Sequence, residues 1–361
     1  MMNKKKILIA MSGGVDSSVA AALLKEEGHD VAGATIRTWA AGDCAARNTK
    51  ACCGITGVED AREVAGRLGI RYWVFNFEKE FKNHVVDYFA SEYLKGRTPN
   101  PCIACNEHIK FRLFLARARR LGYDAIATGH YARVGREEPG DAYYIEEGID
   151  LSKDQSYVLF PLAPDLLRNL YLPVGKYSKA EIRAKAKEIG LPVWDKPDSQ
   201  EICFIPSNDY GAFLERQFAA GGTPGVIRTK DGKVLGNHEG YFHYTRGQRR
   251  GLGVAHSERL YVLGTDPEKN EVIVGTKQEV LNRRCTAGRM NWFLKPQAET
   301  FRAGVKIRSQ HEKAEALLRM LPENSVEIVF DEPQDAITPG QGAVIYDGRR
   351  VLGGGWIDRV E

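Results

Sequence analysis

Hydrophobic and polar positions alternate between two periods over the first 212 residues of the chain. The apolar run "KKILIAM" predicts a strand, and Val15, Val19 and Leu23 then recur every four residues, which predicts an amphipathic helix that ends at Gly28. The same order returns in "DVAGATIR", "GVEDAREVAGRLG" and "RYWVFNF". This alternation predicts an α/β domain over residues 1–212, with a parallel sheet covered by helices on both faces.

One later helix carries a complete set of boundary signals. In "YSKAEIRAKAKEIGLP", Ser178 and Glu181 have the spacing of a capping box, and Gly190 and Pro192 mark the end of the helix. We therefore expect a helix that begins directly after Ser178.

The pattern changes to short β-type segments after residue 212. The segments "VIRTKDGKVLG" and "AVIYDGRRVLGGGWI" each place an Asp-Gly pair between β-rich arms, which is a strong hairpin signal, and "SVEIVF" alternates with period two. We predict two small all-β modules, a central domain over residues 213–285 and a barrel-like domain over residues 286–361.

Composition narrows the class of protein. A chain of 361 residues is long enough for two or three domains, 43% of its residues are hydrophobic, and it lacks the long apolar run of a membrane span. We expect a cytoplasmic protein with no membrane partner. The net charge of +4 permits an anionic partner without requiring one. Seven cysteines, an odd number, argue against a secreted disulfide framework and favour metal or catalytic roles.

The segment "MSGGVDSS" lies between the first strand and the first helix. Glycines let the backbone close around an anion, and the free N–H groups of a helix N-terminus favour negative charge. Asp16 is a candidate ligand for Mg²⁺. The alternative is an ordinary Gly-Gly turn in which Ser and Asp cap the helix. The segment lacks the lysine of the G-x-x-x-x-G-K-[ST] loop.

Three cysteines are candidates for catalysis or metal binding. Cys102 and Cys105 form a C-x-x-C pair in "GRTPNPCIACNEHIKF", and Cys203 lies in "KPDSQEICFIP". Cys105 precedes an expected helix start, where the pKa of a thiol is depressed. A zinc site completed by Cys52 and Cys53 is an alternative, although adjacent cysteines lack the usual ligand spacing. Cys285 is expected to be a small buried residue.

Seven motifs occur together in a recognisable order. "SGGVDSS" resembles the loop of the ATP pyrophosphatase superfamily, whose members bind the pyrophosphate part of ATP and leave AMP on a substrate oxygen. The wider set resembles the tRNA-specific 2-thiouridylases over nearly the whole chain, in the motifs "SGGVDSS", "GRTPNPC-x-x-CN-x-x-IKF", "ATGHYAR", "SKDQSY", "DSQEICFI", "TRGQRRGLG" and "TPGQGAVIYDG…LGGGWI".

The resemblance implies a reaction. ATP with Mg²⁺ would adenylate O2 of the wobble uridine (position 34) in tRNAs for Lys, Glu and Gln, releasing pyrophosphate. A persulfide on Cys203, loaded by a cysteine desulfurase or a sulfur-relay protein, would supply the sulfur, and AMP would leave. Cys105 would act as nucleophile and end in a transient Cys105–Cys203 disulfide. Free hydrosulfide and direct persulfide attack both remain open.

The resemblance also assigns binding residues. For the nucleotide it implies the loop and two flanking strand ends, with Asp16 also acting in catalysis: Ala10, Met11, Ser12, Gly13, Gly14, Val15, Asp16, Ser17, Ile36 and Gly129. For tRNA it implies residues from five segments: Asn100, Pro101, Cys102, His130, Lys153, Asp154, Gln155, Arg308, Ser309 and Gln341. Some members carry Asp where Cys102 stands, and the family often has an aromatic residue where Ser309 stands. Ile36 as ordinary core and His130 as a strand cap are the structural alternatives.

Other interpretations remain. Cys102, Cys105 and Cys203 could hold an Fe–S cluster that binds the transferred sulfur. A different ATP pyrophosphatase, such as an amide-forming synthetase, would not need Cys105 and Cys203. A non-enzymatic RNA-binding protein would not need an intact nucleotide loop. The segment from Thr38 to Thr56 has little periodicity, and we expect it to order when tRNA binds.

Overall fold

The computed structural model describes residues 4–38, 55–197, 202–205, 209–218 and 222–361. Its strands are, in chain order, β1 (Lys6–Ala10), β2 (Asp30–Arg37), β3 (Arg71–Asn76), β4 (Ala125–Ala127), β5 (Ala132–Arg136), β6 (Tyr143–Glu147), β7 (Leu170–Tyr171), β8 (Gly225–Thr229), β9 (Val234–His238), β10 (Tyr261–Asp266), β11 (Glu271–Gly275), β12 (Leu281–Trp292), β13 (Thr300–Lys306), β14 (Ala314–Leu321), β15 (Ser325–Asp335), β16 (Gly342–Asp347) and β17 (Arg350–Val360).

The α-helices are α1 (Val15–Glu26), α2 (Ile55–Arg67), α3 (Glu78–Phe81), α4 (Asp87–Leu94), α5 (Pro101–Ala104), α6 (Phe114–Arg120), α7 (Pro164–Leu167), α8 (Lys179–Glu188), α9 (Tyr210–Phe218) and α10 (Lys277–Val280). Two π-helical segments, Lys82–Val86 and Cys105–Leu113, connect α3 to α4 and α5 to α6. Short 3₁₀ turns span Ser156–Leu159, Pro173–Lys176 and Tyr241–His243. Within the described ranges, no helix is both long and apolar enough to cross a membrane.

The N-terminal part of the chain forms a five-stranded sheet in the order β3-β2-β1-β4-β7. All neighbouring strands in it run parallel. Helices cover both faces, since one apolar cluster packs α1 and α8 on one side and another packs α3 to α6 on the other. The strand order reverses direction between β1 and β4, where open α/β sheets bind their ligands. The predicted α/β domain with a helix-covered parallel sheet is confirmed, and its arrangement is Rossmann-like.

The remaining strands form two further sheets. The central sheet has the order β10-β11-β8-β9. In the last sheet the run β12-β15-β14-β13-β16-β17 closes on itself through pairing of β12 with β17, which confirms the predicted barrel. The β5–β6 hairpin extends the barrel sheet, because Glu146 of β6 pairs with Arg350 of β17. The domain boundaries at residues 212 and 285 stay predictions.

Helix α8 begins where its capping box predicts. The Ser178 hydroxyl and the Glu181 carboxylate form the reciprocal hydrogen bonds of the box, and the helix runs Lys179–Glu188. Buried Ile182 and Ala186 hold α8 against α1. The first residue of α8 is therefore fixed beside the loop that precedes α1.

Candidate active site

A cavity of about 1780 Å³ opens at the carboxyl ends of β1, β2 and β4 and reaches the barrel. Six segments from the sequence analysis form its walls: the "SGGVDSS" loop, the C-x-x-C helix, the Gly129–His130 turn, the Lys153–Gln155 turn, the Cys203 turn and residues 309–313 of the barrel. Most of the predicted nucleotide and cysteine positions are thus brought together in one place.

The loop before α1 leaves the helix N-terminus without a capping side chain. The N-cap residue is Gly14, and the Ser17 and Ser18 hydroxyls donate backwards to its carbonyl oxygen at 3.3 and 2.8 Å. The Ser12 N–H donates to Ser17 Oγ at 3.2 Å, which closes the loop. The serines therefore do not cap the first N–H groups, which is the arrangement of an anion site.

Two glycines allow the backbone to approach closely here. Gly13 has φ +73°, and a Cβ there would overlap the Gly57 backbone at the start of α2. A Cβ on Gly129 would lie 2.6 Å from the Ser17 nitrogen and 2.9 Å from the Asp16 carbonyl carbon. The end of β4 is thus packed directly on the loop.

The structure places the predicted nucleotide residues as a group. Nine of the ten line the cavity, namely Ala10, Met11, Ser12, Gly14, Val15, Asp16, Ser17, Ile36 and Gly129. Gly13 lies against Gly57. Ile36 also belongs to the core, since it is only 9% exposed. Their contact with a nucleotide stays a prediction.

Asp16 is held by two side chains from distant segments. The Lys179 ammonium lies 2.8 Å from both carboxylate oxygens of Asp16, and the Tyr131 hydroxyl donates to Oδ1 at 2.7 Å. On the other flank of the loop, Lys196 Nζ donates to the Gly13 carbonyl oxygen at 2.9 Å and pairs with Asp60 at 2.5 Å. Sequence analysis missed both lysines. The capping box fixed the place of Lys179 in its helix, but no local signal connects that helix to the loop.

Cys105 and Cys203 line the same cavity, although they are far apart in the chain. Cys105 is 8% exposed and belongs to the apolar core of the α/β domain, and Cys203 packs against that core. Cys203 lies in a tight turn closed by a 2.9 Å hydrogen bond from the Ile205 N–H to the Ile202 carbonyl. Buried Phe204 and Ile205 anchor this turn.

The helix that carries the C-x-x-C pair begins earlier than expected. Pro101 is its first residue, and Asn100 caps it by accepting the Cys102 N–H at 3.0 Å. The expectation that Cys105 precedes a helix start is therefore wrong, because exposed Cys102 lies in the first turn and Cys105 follows α5 at the start of the π-helical segment.

The remaining cysteine predictions have different outcomes. Cys285 is buried as expected, and burial raises its pKa to about 12. Cys52 and Cys53, proposed as half of a zinc site, lie outside the described residues, as does most of the segment from Thr38 to Thr56. Among the residues that the structure describes, no group of three or more His, Cys, Asp or Glu side chains is arranged to hold a metal ion.

The predicted tRNA residues divide between two cavities. Pro101, Cys102, His130, Lys153, Asp154, Gln155 and Ser309 line the large cavity. A second cavity of about 520 Å³ is lined by arginine, histidine, threonine and glutamine side chains from all three parts of the chain, namely Thr98, Thr245, Arg246, Arg308, Gln310, His311, Thr338 and Gln341. Asn100 lines neither cavity.

Several of these residues also make structural hydrogen bonds, and that of Gln341 joins the barrel to the α/β domain. Gln341 Nε2 donates to the Thr98 carbonyl at 2.9 Å, and Arg308 donates to the Asp335 carbonyl at 3.1 Å. The Asp154 side chain is 1% exposed and accepts the Gly148 N–H at 3.0 Å. The Gln155 side chain accepts the Tyr131 N–H at 3.0 Å. In this structure these groups shape the cavity walls.

A buried charge network joins the α/β domain to the barrel. Glu147, whose side chain is 2% exposed, lies 2.8 Å from Lys313 Nζ and 3.6 Å from Lys306 Nζ. Lys306 also lies 3.5 Å from Asp154. Two buried carboxylates thus share two lysines, which offsets the cost of burying them. The network fixes the barrel wall of the cavity.

His130 is buried at the end of β4 with a neutral ring. Its Nδ1 lies 2.8 Å from the Thr128 hydroxyl. Burial, together with the nearby Lys110 charge, lowers the pKa of His130 to about 3. At neutral pH it can donate or accept a hydrogen bond but carries no charge.

Comparison with known proteins covers the chain from end to end. Residues 5–207 match the model of a tRNA methyl transferase HUP domain, residues 211–276 its PRC-barrel domain, and residues 282–357 an aminomethyltransferase β-barrel domain. A 4-thiouridine synthetase–RNA complex with bound ATP is 21% identical over 59% of this chain and 50% of its own, with a TM-score of 0.37, too low to define a shared fold.

Full-length relatives are far more similar. A tRNA-specific 2-thiouridylase MnmA from Geobacter metallireducens is 48% identical over 98% of this chain and 97% of its own length. The protein of the same name from Acetivibrio thermocellus is 46% identical over 99% of this chain and 100% of its own length. The chain therefore belongs to the family of the tRNA-specific 2-thiouridylases.

Proposed function

We propose that this chain replaces an oxygen of a tRNA uridine by sulfur at the expense of ATP. As a member of the family it is an enzyme, a tRNA-uridine 2-sulfurtransferase. The finer proposal is that O2 of the wobble uridine is adenylated and that sulfur then arrives from Cys203. The observation that carries it is the single cavity shared by the uncapped helix N-terminus, Cys105 and Cys203.

Adenylation solves a leaving-group problem. The O2 oxygen of uridine is a poor leaving group until AMP is attached to it, and the cut between the α- and β-phosphates of ATP supplies that AMP. The loop of residues 12–17 would hold the pyrophosphate part at the N–H groups of α1. Mg²⁺ would neutralise phosphate oxygens, with Asp16 as the carboxylate in position to hold it.

The sulfur-transfer step would then use both thiols, Cys203 as the persulfide and Cys105 as the nucleophile. The terminal sulfur of a Cys203 persulfide attacks C2 of the adenylated uridine, AMP leaves, and a Cys203–S–S–C2 link forms. The Cys105 thiolate attacks the Cys203 sulfur, which expels thiouridine and leaves a Cys105–Cys203 disulfide. Alternatively, Cys105 attacks the persulfide first and releases hydrosulfide, which then attacks C2. An external thiol reductant opens the disulfide in either case.

The substrate must enter the cavity as an extruded base. Chemistry on C2 requires the uridine to leave its stack, and single-stranded loops offer such bases. We propose that the barrel wall and the arginine-lined second cavity hold the rest of the anticodon arm, with Arg246 and Arg308 contributing positive charge near phosphates. We propose tRNAs for Lys, Glu and Gln as substrates, a cysteine desulfurase or relay protein as sulfur donor, and a cytoplasmic location.

The alternative chemistries gain less support. Cys102, Cys105 and Cys203 all line the cavity. Among the described residues, however, no three His, Cys, Asp or Glu side chains are arranged to hold a metal ion, so we propose no step on an Fe–S cluster. An amide-forming synthetase or a non-enzymatic RNA-binding protein would leave the shared placement of Cys105 and Cys203 without a purpose.

The test is mass spectrometry of unmodified tRNA after incubation with the full chain, ATP and a persulfide source. We expect the mass gain of oxygen replaced by sulfur at the wobble uridine, and release of pyrophosphate that depends on tRNA. Cys203→Ser should abolish the gain, whereas Cys102→Ala and the buried control Cys285→Ala should retain it. Pyrophosphate release without any sulfur in the tRNA, or full thiolation by Cys203→Ser, would overturn the proposal.

A further inference from the structure

We infer that Lys179 binds the β- and γ-phosphates of ATP, and so supplies from helix α8 the cation that the loop before α1 lacks. This deepens the proposed use of ATP and rests on it. Three features of the structure support this role of Lys179: its rigid placement, its contact with Asp16, and the uncapped N-terminus of α1.

The backbone of Lys179 is fixed from both sides. It is the first residue of α8, directly after the Ser178 capping box. Its own N–H donates to Asp150 Oδ2 at 3.0 Å. The side chain then runs inward, is only 11% exposed, and places Nζ 5.7 Å from the centre of the Tyr131 ring. A lysine held in this way has little freedom except at its ammonium group.

That ammonium lies at the first turn of α1. It is bound to both oxygens of Asp16, which is the second residue of the 12-residue helix. The N-cap Gly14 provides no side-chain hydrogen bond, so the first N–H groups of α1 and the Lys179 ammonium converge on one wall of the cavity. A helix N-terminus and a lysine together make the electrostatics of a phosphate site.

Asp16 and Lys179 would exchange partners when the nucleotide binds. A triphosphate carries more negative charge than one carboxylate, so it attracts the ammonium more strongly. Mg²⁺ that enters with the triphosphate binds oxygen ligands, and the Asp16 carboxylate provides one once the lysine has left it. The ammonium would therefore turn from Asp16 to the phosphates, while the carboxylate turns to the metal. In the absence of nucleotide, Asp16 holds the ammonium in position.

Lys196 differs in a way that separates the two lysines. It also lines the cavity, but its ammonium donates to the Gly13 carbonyl and pairs with Asp60, so it supports the loop backbone. The Lys179 ammonium instead bonds a side chain of the helix N-terminus. We therefore assign phosphate binding to Lys179 and loop support to Lys196.

The experiment compares ATP and AMP binding to full-length protein by calorimetry with Mg²⁺ present. For Lys179→Met we expect ATP affinity to fall roughly 10- to 100-fold, the loss typical of a hydrogen bond to a charged group, with AMP affinity unchanged. The matched control is Lys176→Met, an exposed lysine that does not line the cavity, which should bind both nucleotides as the unaltered protein does. If Lys179→Met does not fold, Lys179→Gln keeps a hydrogen-bond donor for Asp16 and serves instead.

The outcomes separate the inference from the proposed function. Equal losses for ATP and AMP, or no loss for either, would overturn the role of Lys179, because an ion pair that only supports the loop does not distinguish the two nucleotides. An unaltered protein that binds no ATP would overturn the proposed function itself.

Discussion

Gly13 and Gly14 are neighbours in the nucleotide loop, and we predict opposite tolerance for an added methyl group. Gly13 has φ +73°, and its Cβ would overlap the carbonyl, Cα and carbonyl carbon of Gly57. Gly14 has φ −98°, and its Cβ would meet only Ser12 Oγ at 3.4 Å. The variants Gly13→Ala and Gly14→Ala therefore add the same atoms with different consequences.

The expected cost follows from two separate penalties. Placing alanine in the left-handed region costs about 1–2 kcal/mol. Forcing a methyl group into packed backbone costs about a further 1–3 kcal/mol, since Gly57 belongs to α2 and cannot move like a flexible side chain. Gly13→Ala should thus lose about 2–5 kcal/mol of unfolding free energy. Gly14→Ala should lose less than about 1 kcal/mol, the difference between glycine and alanine at an N-cap.

Thermal unfolding of the full chain, followed by the helical circular dichroism signal, checks this prediction. One kcal/mol shifts the midpoint of a domain of this size by about 2–4 °C, so Gly13→Ala should unfold at least about 2 °C below Gly14→Ala. Equal midpoints for the two variants would refute the reasoning, because the steric difference between the two sites would then have no energetic effect.

Three further predictions concern the walls of the cavity. In the unfolded state His130 binds a proton near pH 6.5, whereas in the folded state it binds one only near pH 3. The contribution of His130 to the free energy of unfolding is therefore fully present above pH 6.5 and should fall by about 1.4 kcal/mol per pH unit below it. In urea titrations at different pH values, His130→Asn should show a shallower loss. Lys306→Met should cost about 2–4 kcal/mol by denaturation, because buried Glu147 loses one cation. Gly129→Ala should lower ATP affinity about tenfold or more, because its Cβ displaces the loop, while Gly66→Ala, in open space on α2, should not.

Each of these predictions has a matched control or a contradicting result. An unchanged acid slope in His130→Asn would show that other groups cause the loss. The exposed pair of Lys277 and Asp335 provides the comparison for Lys306, since Lys277→Met should cost less than about 1 kcal/mol, and equal costs would contradict the role of burial. Normal ATP binding by Gly129→Ala would contradict close packing of β4 on the loop.

Local signals were sufficient for much of the fold. The capping box at Ser178 gave the start of α8. The Asp-Gly pair at Asp231 lies in the turn of the β8–β9 hairpin, and the pair at Asp347 begins the turn of the β16–β17 hairpin. Such features depend on a few adjacent residues, so the sequence shows them directly. The position of residues 12–17 at the carboxyl edge of the sheet also followed, because the carboxyl ends of parallel strands share one edge.

The partners of the site residues could not be predicted in the same way. Lys179 meets Asp16 across 163 positions, and Gln341 meets Thr98 across 243. Both contacts depend on how whole elements pack, which hydrophobic periodicity does not encode. The resemblance supplied roles for Asp16 and Gln341 but not the groups that hold them, and it is those groups that fix the loop and the barrel against the cavity.

The π-helical segment shows the same limit on a smaller scale. Cys105 and Lys110 both line the cavity, although five residues of an α-helix would place them about 140° apart around the axis. A π turn, closed by bonds between residues five apart, brings such positions to the same face, and Cys105 begins this segment. The segment therefore lets one helix present a thiol and an ammonium group to the same cavity, with that ammonium close enough to His130 to act on its pKa. In a regular α-helix the same five-residue spacing would turn one of the two groups away from the cavity.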